Sequence, residues 1–381
     1  MTVEVVTSIE RLASLAPDYA RLEKVAHATL PFTTLEWHLA WWNQFSSATA
    51  AMRSSLRVQV VRASSGDCLA IVPFVLEQRP GRGPLKLQML SFIGRDPWIT
   101  ELRMPLVDPA HAERAGKATR RALDEDPDWD WIYWSGLDRV AAFGDALCLG
   151  RHIVTGEPLH DYVVELRPTW EAFRASLKRN IRESLRHCYN SLKRDGHTFE
   201  LEVATTPADV RRACRTLLDL HVRRSEVTGT VAHANHFESK RAQQFLFEVA
   251  ERSAARGSTH VFSLVIRGEV VASRIGFVVG DSLYLYYSGY DPRWSRYGVM
   301  TTTMAEAIKF AIERKLATVN LSVGTDVSKT RWGPRCEEYA EVIEPRDSIR
   351  ARAGLAAYRT ATRPPSFVGK ILRHFFERRW S

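Results

Sequence analysis

The chain has 381 residues, 45% of them hydrophobic and 25% charged, which is ordinary for a water-soluble globular protein of about one to three domains. Its net charge of +9 suits an anionic partner, whether a charged small molecule, an acidic glycan, a lipid surface or RNA, without choosing among them. No apolar run is long enough to span a bilayer, because the best candidate, 261–279, is interrupted by Arg267, Glu269 and Arg274. The start of the chain lacks the basic and apolar blocks of a secretory signal, so a cytoplasmic location is expected. Cys68, Cys148, Cys188, Cys214 and Cys336 are scattered with no CxxC pair, so neither a zinc site nor a disulfide framework follows.

Taken in order, the first strong feature is 31–42, with Thr34 as helix cap, Glu36 in the first turn and aromatic Trp37, Trp41 and Trp42. His38, among tryptophans on a helix face, reads as a packed residue. Alternating runs at 56–62 and 68–76, joined by Ser64-Ser65-Gly66-Asp67, predict a hairpin. Runs at 85–93 and 99–107 predict further strands. A helix over about 109–123 and a strand over 129–134 follow.

The stretch 169–196 predicts one long helix, capped by Thr169 and ended by Gly196. Its apolar stripe is flanked by Arg174, Lys178, Arg179, Arg182, Arg186, Lys193 and Arg194, which suits either an anion or a solvated face. Helices over 207–226 and 236–255 come next. The loop between them holds His233-x-x-His236, weak as a metal signal without a third ligand, so no metal is expected; His236 is a candidate acceptor contact.

Runs at 261–266 and 270–279 predict a second hairpin. It leads into Ser282–Trp332, the most informative segment. Alternation from Leu283 to Ser288 predicts a strand, and Gly289 within it signals a bulge or a close backbone approach. Asp291-Pro292 ends the strand. Gly298 precedes a helix, with Thr301, Thr302 and Thr303 as capping hydroxyls and Met304, Ala307, Ile308, Ala311 and Ile312 on the apolar face. A second short strand holds Val319, Leu321 and Val323. A strand, a glycine-bearing loop, a helix and a strand present free N–H groups at a helix N-terminus, which suits phosphate.

The tail, 346–381, is basic, and Phe367, Val368, Ile371, Leu372, Phe375, Phe376 and Trp380 form an apolar stripe. That pattern fits docking on the chain's own domain or lying on an anionic membrane surface, which would make the protein peripheral at the inner membrane face.

Tyr287-Ser288-Gly289-Tyr290-Asp291-Pro292, Gly298, Glu306-Ala307, Gly324 and Lys329-x-x-Trp332 resemble the GNAT-like acyltransferases of the cellulose-biosynthesis (CelD/BcsL) type, close to the FemAB peptidyltransferases. The resemblance implies an α/β (α+β) chain of two tandem GNAT-like domains, each a mixed, mostly antiparallel sheet flanked by helices. The hairpin, helix and strand order occurs twice, which agrees. The boundaries expected are 1–160 for a first domain without cofactor, 161–345 for the acyltransferase domain and 346–381 for the tail.

By the same resemblance, acyl-CoA is the co-substrate, its pyrophosphate on the helix N-terminus and its pantetheine arm between parted strands. The expected cofactor contacts are Ser288, Gly289, Arg296, Tyr297, Gly298, Val299, Met300 and Thr301. Ser295 and Met300 depart from the usual Gln/Arg-x-x-Gly-x-Gly/Ala loop. Acyl transfer needs a polarised carbonyl, a base and an acid for the leaving sulfur. A bulge at 288–290 is expected to supply the backbone donor. Tyr290 or Tyr297 is the candidate acid, and Asp291, Glu306 or Asp326 the candidate base. Tyr287, Asp326, Lys329, Trp332 and His236 are expected around the acceptor, a sugar, polysaccharide precursor or small amine. Two alternatives stand beside this: a FemX-like aminoacyl-tRNA-dependent transferase, with RNA on the basic helix, and a non-catalytic partner in envelope-polysaccharide assembly.

Overall fold

Period-two runs and 3.6-residue stripes build strands and helices in two units. The computed structural model describes residues 1–80, 86–95, 99–147, 154–227, 234–324 and 326–362. One unit is Met1–Ala28, Phe32–Leu159 and the chain from Tyr339 onward; the other is Thr29–Pro31 and His160–Glu338.

The first unit opens with β1 (Thr2–Val6), α1 (Ile9–Ala13), α2 (Ala16–Val25) and α3 (Leu35–Phe45). Thr34 caps α3 by accepting from the Trp37 N–H, and Trp37, His38 and Trp41 face inward. His38 is 2% exposed, with Nδ1 2.8 Å from the Tyr19 hydroxyl, and burial pulls its pKa down to about 3. It is a packed residue, as its setting predicted.

Next come β2 (Arg53–Leu56), β3 (Val58–Arg62), β4 (Cys68–Val72), β5 (Phe74–Arg79), β6 (Leu87–Phe92), β7 (Leu106–Val107), α4 (Ala112–Glu125), β8 (Trp131–Ser135), α5 (Ala141–Ala146) and β9 (Val154–Thr155). The expected hairpin forms between β3 and β4, but each arm is broken. Pro73 has no N–H with which to continue the ladder, and the Arg57 N–H donates instead to the Phe74 carbonyl. Of the strand expected over 99–107 only β7 pairs, directly after Pro105. β6 and β8 run parallel, with α4 in the crossover between them.

The second unit contains β10 (Leu159–Glu165), α6 (Trp170–Ser176), α7 (Arg179–Arg194), β11 (Phe199–Ala204), α8 (Pro207–Ser225), α9 (Lys240–Ala255), β12 (Thr259–Ile266), β13 (Glu269–Val279), β14 (Ser282–Tyr290), α10 (Val299–Glu313), β15 (Thr318–Val323), α11 (Val327–Thr330) and β16 (Arg335–Tyr339). The single helix expected over 169–196 is two. Leu177 and Lys178 take extended backbone, with ψ of 150° and 151°, so that Phe173, Leu177 and Ile181 all reach the core. The described strands form one sheet in the order β11-β12-β13-β14-β15-β10-β16. β14 and β15 pair in parallel, and α10 covers them with Met304, Ala307, Ile308 and Ala311. The helix starts at Val299, earlier than the three threonines suggested. Gly298 takes the left-handed conformation (φ 63°) as its N-cap, so Thr301, Thr302 and Thr303 fall inside the helix and are buried.

The chain then returns to the first unit through β17 (Glu341–Pro345) and α12 (Ile349–Thr362). β17 pairs with β8 from Glu341↔Ser135 to Pro345↔Trp131, and its other edge meets β9. The first unit's described strands thus read β2-β5-β6-β8-β17-β9 in one sheet and β1-β3-β4-β7 in the other. Residues 341–345, placed by sequence at the end of the second domain, lie here because Glu344 enters a buried polar knot. It accepts from Arg120 at 2.7 Å and from the Trp134 indole at 2.8 Å. Leu355 and Tyr358 of α12 pack on Met89 and Trp131, so the first part of the basic tail docks on its own unit. The stripe from Phe367 to Trp380 lies outside the described residues.

Glu344→Ala leaves the Arg120 guanidinium without its buried carboxylate. Chemical denaturation is expected to show a loss of about 3 kcal/mol; a change within error excludes the knot as the clasp of β17.

Candidate functional site

The site is built on how β14 is held. β14 and β15 pair only at Ser282↔Thr318, Leu283↔Val319 and Tyr284↔Asn320. Beyond Tyr284 the ladder stops, while β15 stays bonded to β10 from Glu165↔Thr318 to Asp161↔Val323. The far ends of the two parallel strands are therefore unpaired with each other. On its other side β14 pairs with β13, and the register shifts where Arg274↔Ser288 gives way to Gly276↔Leu285. Three steps on β14 oppose two on β13, which places the extra residue at Tyr286–Tyr287. The expected bulge exists, but it precedes Ser288–Tyr290, where pairing with β13 is regular.

Gly289 explains why α8 lies here. A Cβ on Gly289 would sit 2.3 Å from the His221 N atom and 2.5 Å from the Leu220 carbonyl carbon. The helix backbone rests on the strand backbone at that point, as the glycine signalled. The close approach sets His221, which is 5% exposed, beside the bulge. Its Nδ1–H donates to the Ser288 carbonyl at 3.0 Å, and the buried Nε2 has no side-chain partner, with the Ala234 backbone also acting on the ring. Burial first, and the neighbouring Arg224 second, lower its pKa and keep the ring neutral. Tyr287 packs against His221, His236 and Phe237, with ring centroids 5.7, 5.6 and 4.7 Å apart. Burial also lowers the His236 pKa. The Ser288 hydroxyl accepts from Arg224 at 3.3 Å and Arg274 at 3.2 Å, and Arg224 lies 5.7 Å from the Tyr290 ring centre.

A second group of residues sits at the start of α10. The Thr301 hydroxyl accepts from Arg331 at 2.5 Å. Arg331 is half-buried, its Nε has no hydrogen-bond partner, and burial lowers its pKa. It brings a positive charge to the positive end of a 15-residue helix, an arrangement that an anion relieves. Nearby, Lys329 donates to the Val323 carbonyl and lies 3.4 Å from the Ser322 hydroxyl, which fastens the free end of β15. Asp326 is exposed and caps α11 by accepting from the Ser328 N–H.

The remaining named residues are committed elsewhere. Asp291 is clamped by the Arg293 side chain and N–H and by Arg223, and the Arg293 hydrogen bond holds its carboxyl below the usual range, which makes it a poor base. Glu306 accepts from Tyr189 at 2.6 Å and Lys309 at 2.7 Å, on the face of α10 turned to α7. The Tyr297 hydroxyl donates to Asp195 at 3.0 Å and also meets Arg296 and His197. Val299 is buried, Met300 packs beside Leu192 and Leu264, and Trp332, 2% exposed, lies in the core under α10. His221 and Arg331 were missed in the sequence. Gly289 was the one signal for the first, since it announced a backbone that had to come close. His233 lies outside the described residues, among which no group of three potential metal ligands occurs.

Residues 179–332 match the acetyltransferase (GNAT) domain family. Among solved structures, a conserved protein of unknown function from Bacteroides thetaiotaomicron aligns with TM-score 0.55 and 13% identity, covering 90% of this chain and 100% of its own. The crystal structure of FemX gives TM-score 0.59 and 11% identity over 90% of this chain and 97% of its own. A tandem GNAT protein from the clavulanic acid biosynthesis pathway gives 0.40 and 10% over 90% and 97%. The first two are likenesses of fold. No curated protein matches the sequence. The second unit has the GNAT fold, in a mixed α/β chain whose sheets are flanked by helices.

The Asp291 clamp has a pH signature. Its carboxyl is depressed in the folded state, so the clamp stabilises fully above the unfolded value near 3.8 and fades as pH falls through the lower folded value. Asp291→Asn is expected to cost about 1.5 kcal/mol at pH 7, measured by urea denaturation, with the difference from wild type closing in acid. A difference that persists unchanged below the folded value removes the clamp as its cause.

Proposed function

We propose that this chain is an acyltransferase that moves an acyl group from acyl-CoA to an amine or hydroxyl of a sugar, polysaccharide precursor or small metabolite. The observation that carries the reading is the parting of β14 from β15 ahead of a glycine-headed helix, within the residues that match an acetyltransferase domain. Acyl-CoA, when bound, supplies the activated acyl group as a thioester. The residues fit it. The first N–H groups of α10 with Thr301 and Arg331 suit a diphosphate, and the gap between the strand ends suits a narrow arm.

The chain's own groups have distinct tasks. The extra residue at Tyr286–Tyr287 frees backbone from the β13 ladder and offers an N–H to a carbonyl oxygen. His221, neutral and with no side-chain partner on Nε2, accepts a proton from the acceptor. Tyr287 and His236 give that acceptor an aromatic wall, and Tyr290 is the phenol nearest the strand end for a leaving sulfur. Lys329 keeps the end of β15 in place. Asp326 stays at the mouth of the site as an exposed carboxylate.

A second reading rests on Ser295 and Met300, which stand where the usual phosphate loop has Gln/Arg and Gly/Ala. It makes the donor an aminoacyl-tRNA, with RNA as the partner. No described helix is long and apolar enough to cross a membrane.

Calorimetry with acetyl-CoA, a longer acyl-CoA and charged tRNA separates the readings. Acyl-CoA is expected to bind, and Arg331→Gln to weaken it about tenfold. Gly298→Asp is a poor probe, because a Cβ there falls 2.5 Å from the Cys188 Sγ and damages packing. Binding of charged tRNA alone moves the assignment to the second reading. No binding of any of the three refutes both and leaves an assembly partner.

A further inference from the structure

A groove of about 740 Å³ runs along α6 and α7 and faces Lys309 of α10. Arg174, Arg179, Arg182, Arg186 and Lys309 line it, against Glu171 and Glu183. Five positive charges less two negative leave three; with Glu306 behind Lys309 also counted, two remain. Arg179 is spent on Glu183 at 2.7 Å. Arg174, Arg182 and Arg186 are exposed, and among the described residues none has a carboxylate partner.

The far wall is fixed. Lys309 donates to Glu306 at 2.7 Å and to the Tyr189 hydroxyl at 3.2 Å, and lies 5.1 and 5.0 Å from the Trp170 and Tyr189 ring centres. The start of α7 lacks the capping side chain that α6, α8 and α9 have. α8 has Thr206 as its cap and Asp209 in its first turn; α9 has a Ser239 cap. α7 begins at Lys178 with no capping side chain and no acid in its first turn, and the cations Arg179 and Arg182 stand there instead. Positive side chains at the positive end of a helix are unfavourable; the Ile181 N–H donates to the Asn180 Oδ1 at 2.9 Å, and an anion seated among the cations offsets them and the N–H groups that precede it.

We propose that this groove is a second anion site of the unit and takes a small organic diphosphate. The charge balance matches a ligand with two to three negative charges. Arginine forks suit phosphate oxygens, and the half-buried Trp170 offers an apolar face to the organic part. The volume is that of a small-ligand site, of order 300–1,000 Å³. None of its residues belongs to the start of α10, so the site stands or falls apart from the acyl-CoA reading.

Titration calorimetry of the full chain with pyrophosphate and with ADP tests it, in wild type, in Arg182→Gln/Arg186→Gln, in Trp170→Leu and in Arg331→Gln. Both probes are expected to bind, with ADP the tighter. The arginine pair variant loses about tenfold or more of the groove's binding, Trp170→Leu removes only the advantage of ADP, and Arg331→Gln leaves a binding event of that size in place, whatever it removes at α10. Circular dichroism of the arginine variant is expected to match wild type, since both side chains are exposed. Loss of binding in Arg331→Gln alone places the probes at α10 and overturns the proposal. So does failure of both probes to bind while vesicles with 30% phosphatidylglycerol bind through Arg182 and Arg186, which makes the groove a lipid contact. Binding of a single-stranded RNA 20-mer that ADP does not displace overturns it equally.

Discussion

β15 has two neighbours and keeps only one of them along its length. It bonds with β10 from Thr318 to Val323 but with β14 only as far as Asn320. Strands in a twisted sheet diverge unless hydrogen bonds hold them, and here the bonds beyond Asn320 go to the antiparallel partner. The other side of β14 is held by β13, and α8 rests on it at Gly289. With both strands anchored outward, the end of their pairing at Tyr284 and Asn320 is part of the folded state. His221, Ser288 and Lys329 take their positions from those anchors.

What the sequence made legible was local. The order β14, α10, β15 could be read from alternation, from Gly298 and from an apolar stripe, because neighbours in sequence decide each of those. The parting of the strands could not, since it depends on β10, which enters from some 150 residues earlier. The same blindness hid β11 and β17, whose partners are remote. The caps at Thr301–Thr303 were misjudged because Gly298 starts the helix early through a left-handed turn that only glycine adopts cheaply. The long helix over 169–196 was misjudged because no proline or glycine marks the break at Leu177; the core does, by drawing Phe173, Leu177 and Ile181 inward together.

The carboxylates near the strand end show why residue type alone is a weak guide to role. Asp291 and Glu306 are both acids close in sequence to the bulge, yet each is consumed by cations, Arg293 and Arg223 for one and Lys309 for the other. His221, on a separate helix, has no carboxylate or cation bonded to its Nε2. The unit is rich in arginine, and those arginines divide into ones that clamp carboxylates and ones, such as Arg182 and Arg186, that face open space.

The strand β17 has a consequence in time. It fills the edge beside β8, yet it is made about 200 residues after β8. At about 5–20 residues per second, a ribosome leaves that edge bare for some 10–40 s while the whole second unit is still being made. An unpaired strand edge is an invitation to pair with a stranger. β10 of the second unit waits as well, about 150 residues for β15, but β17 comes later still, so the half of the protein that is made first is the half that finishes last.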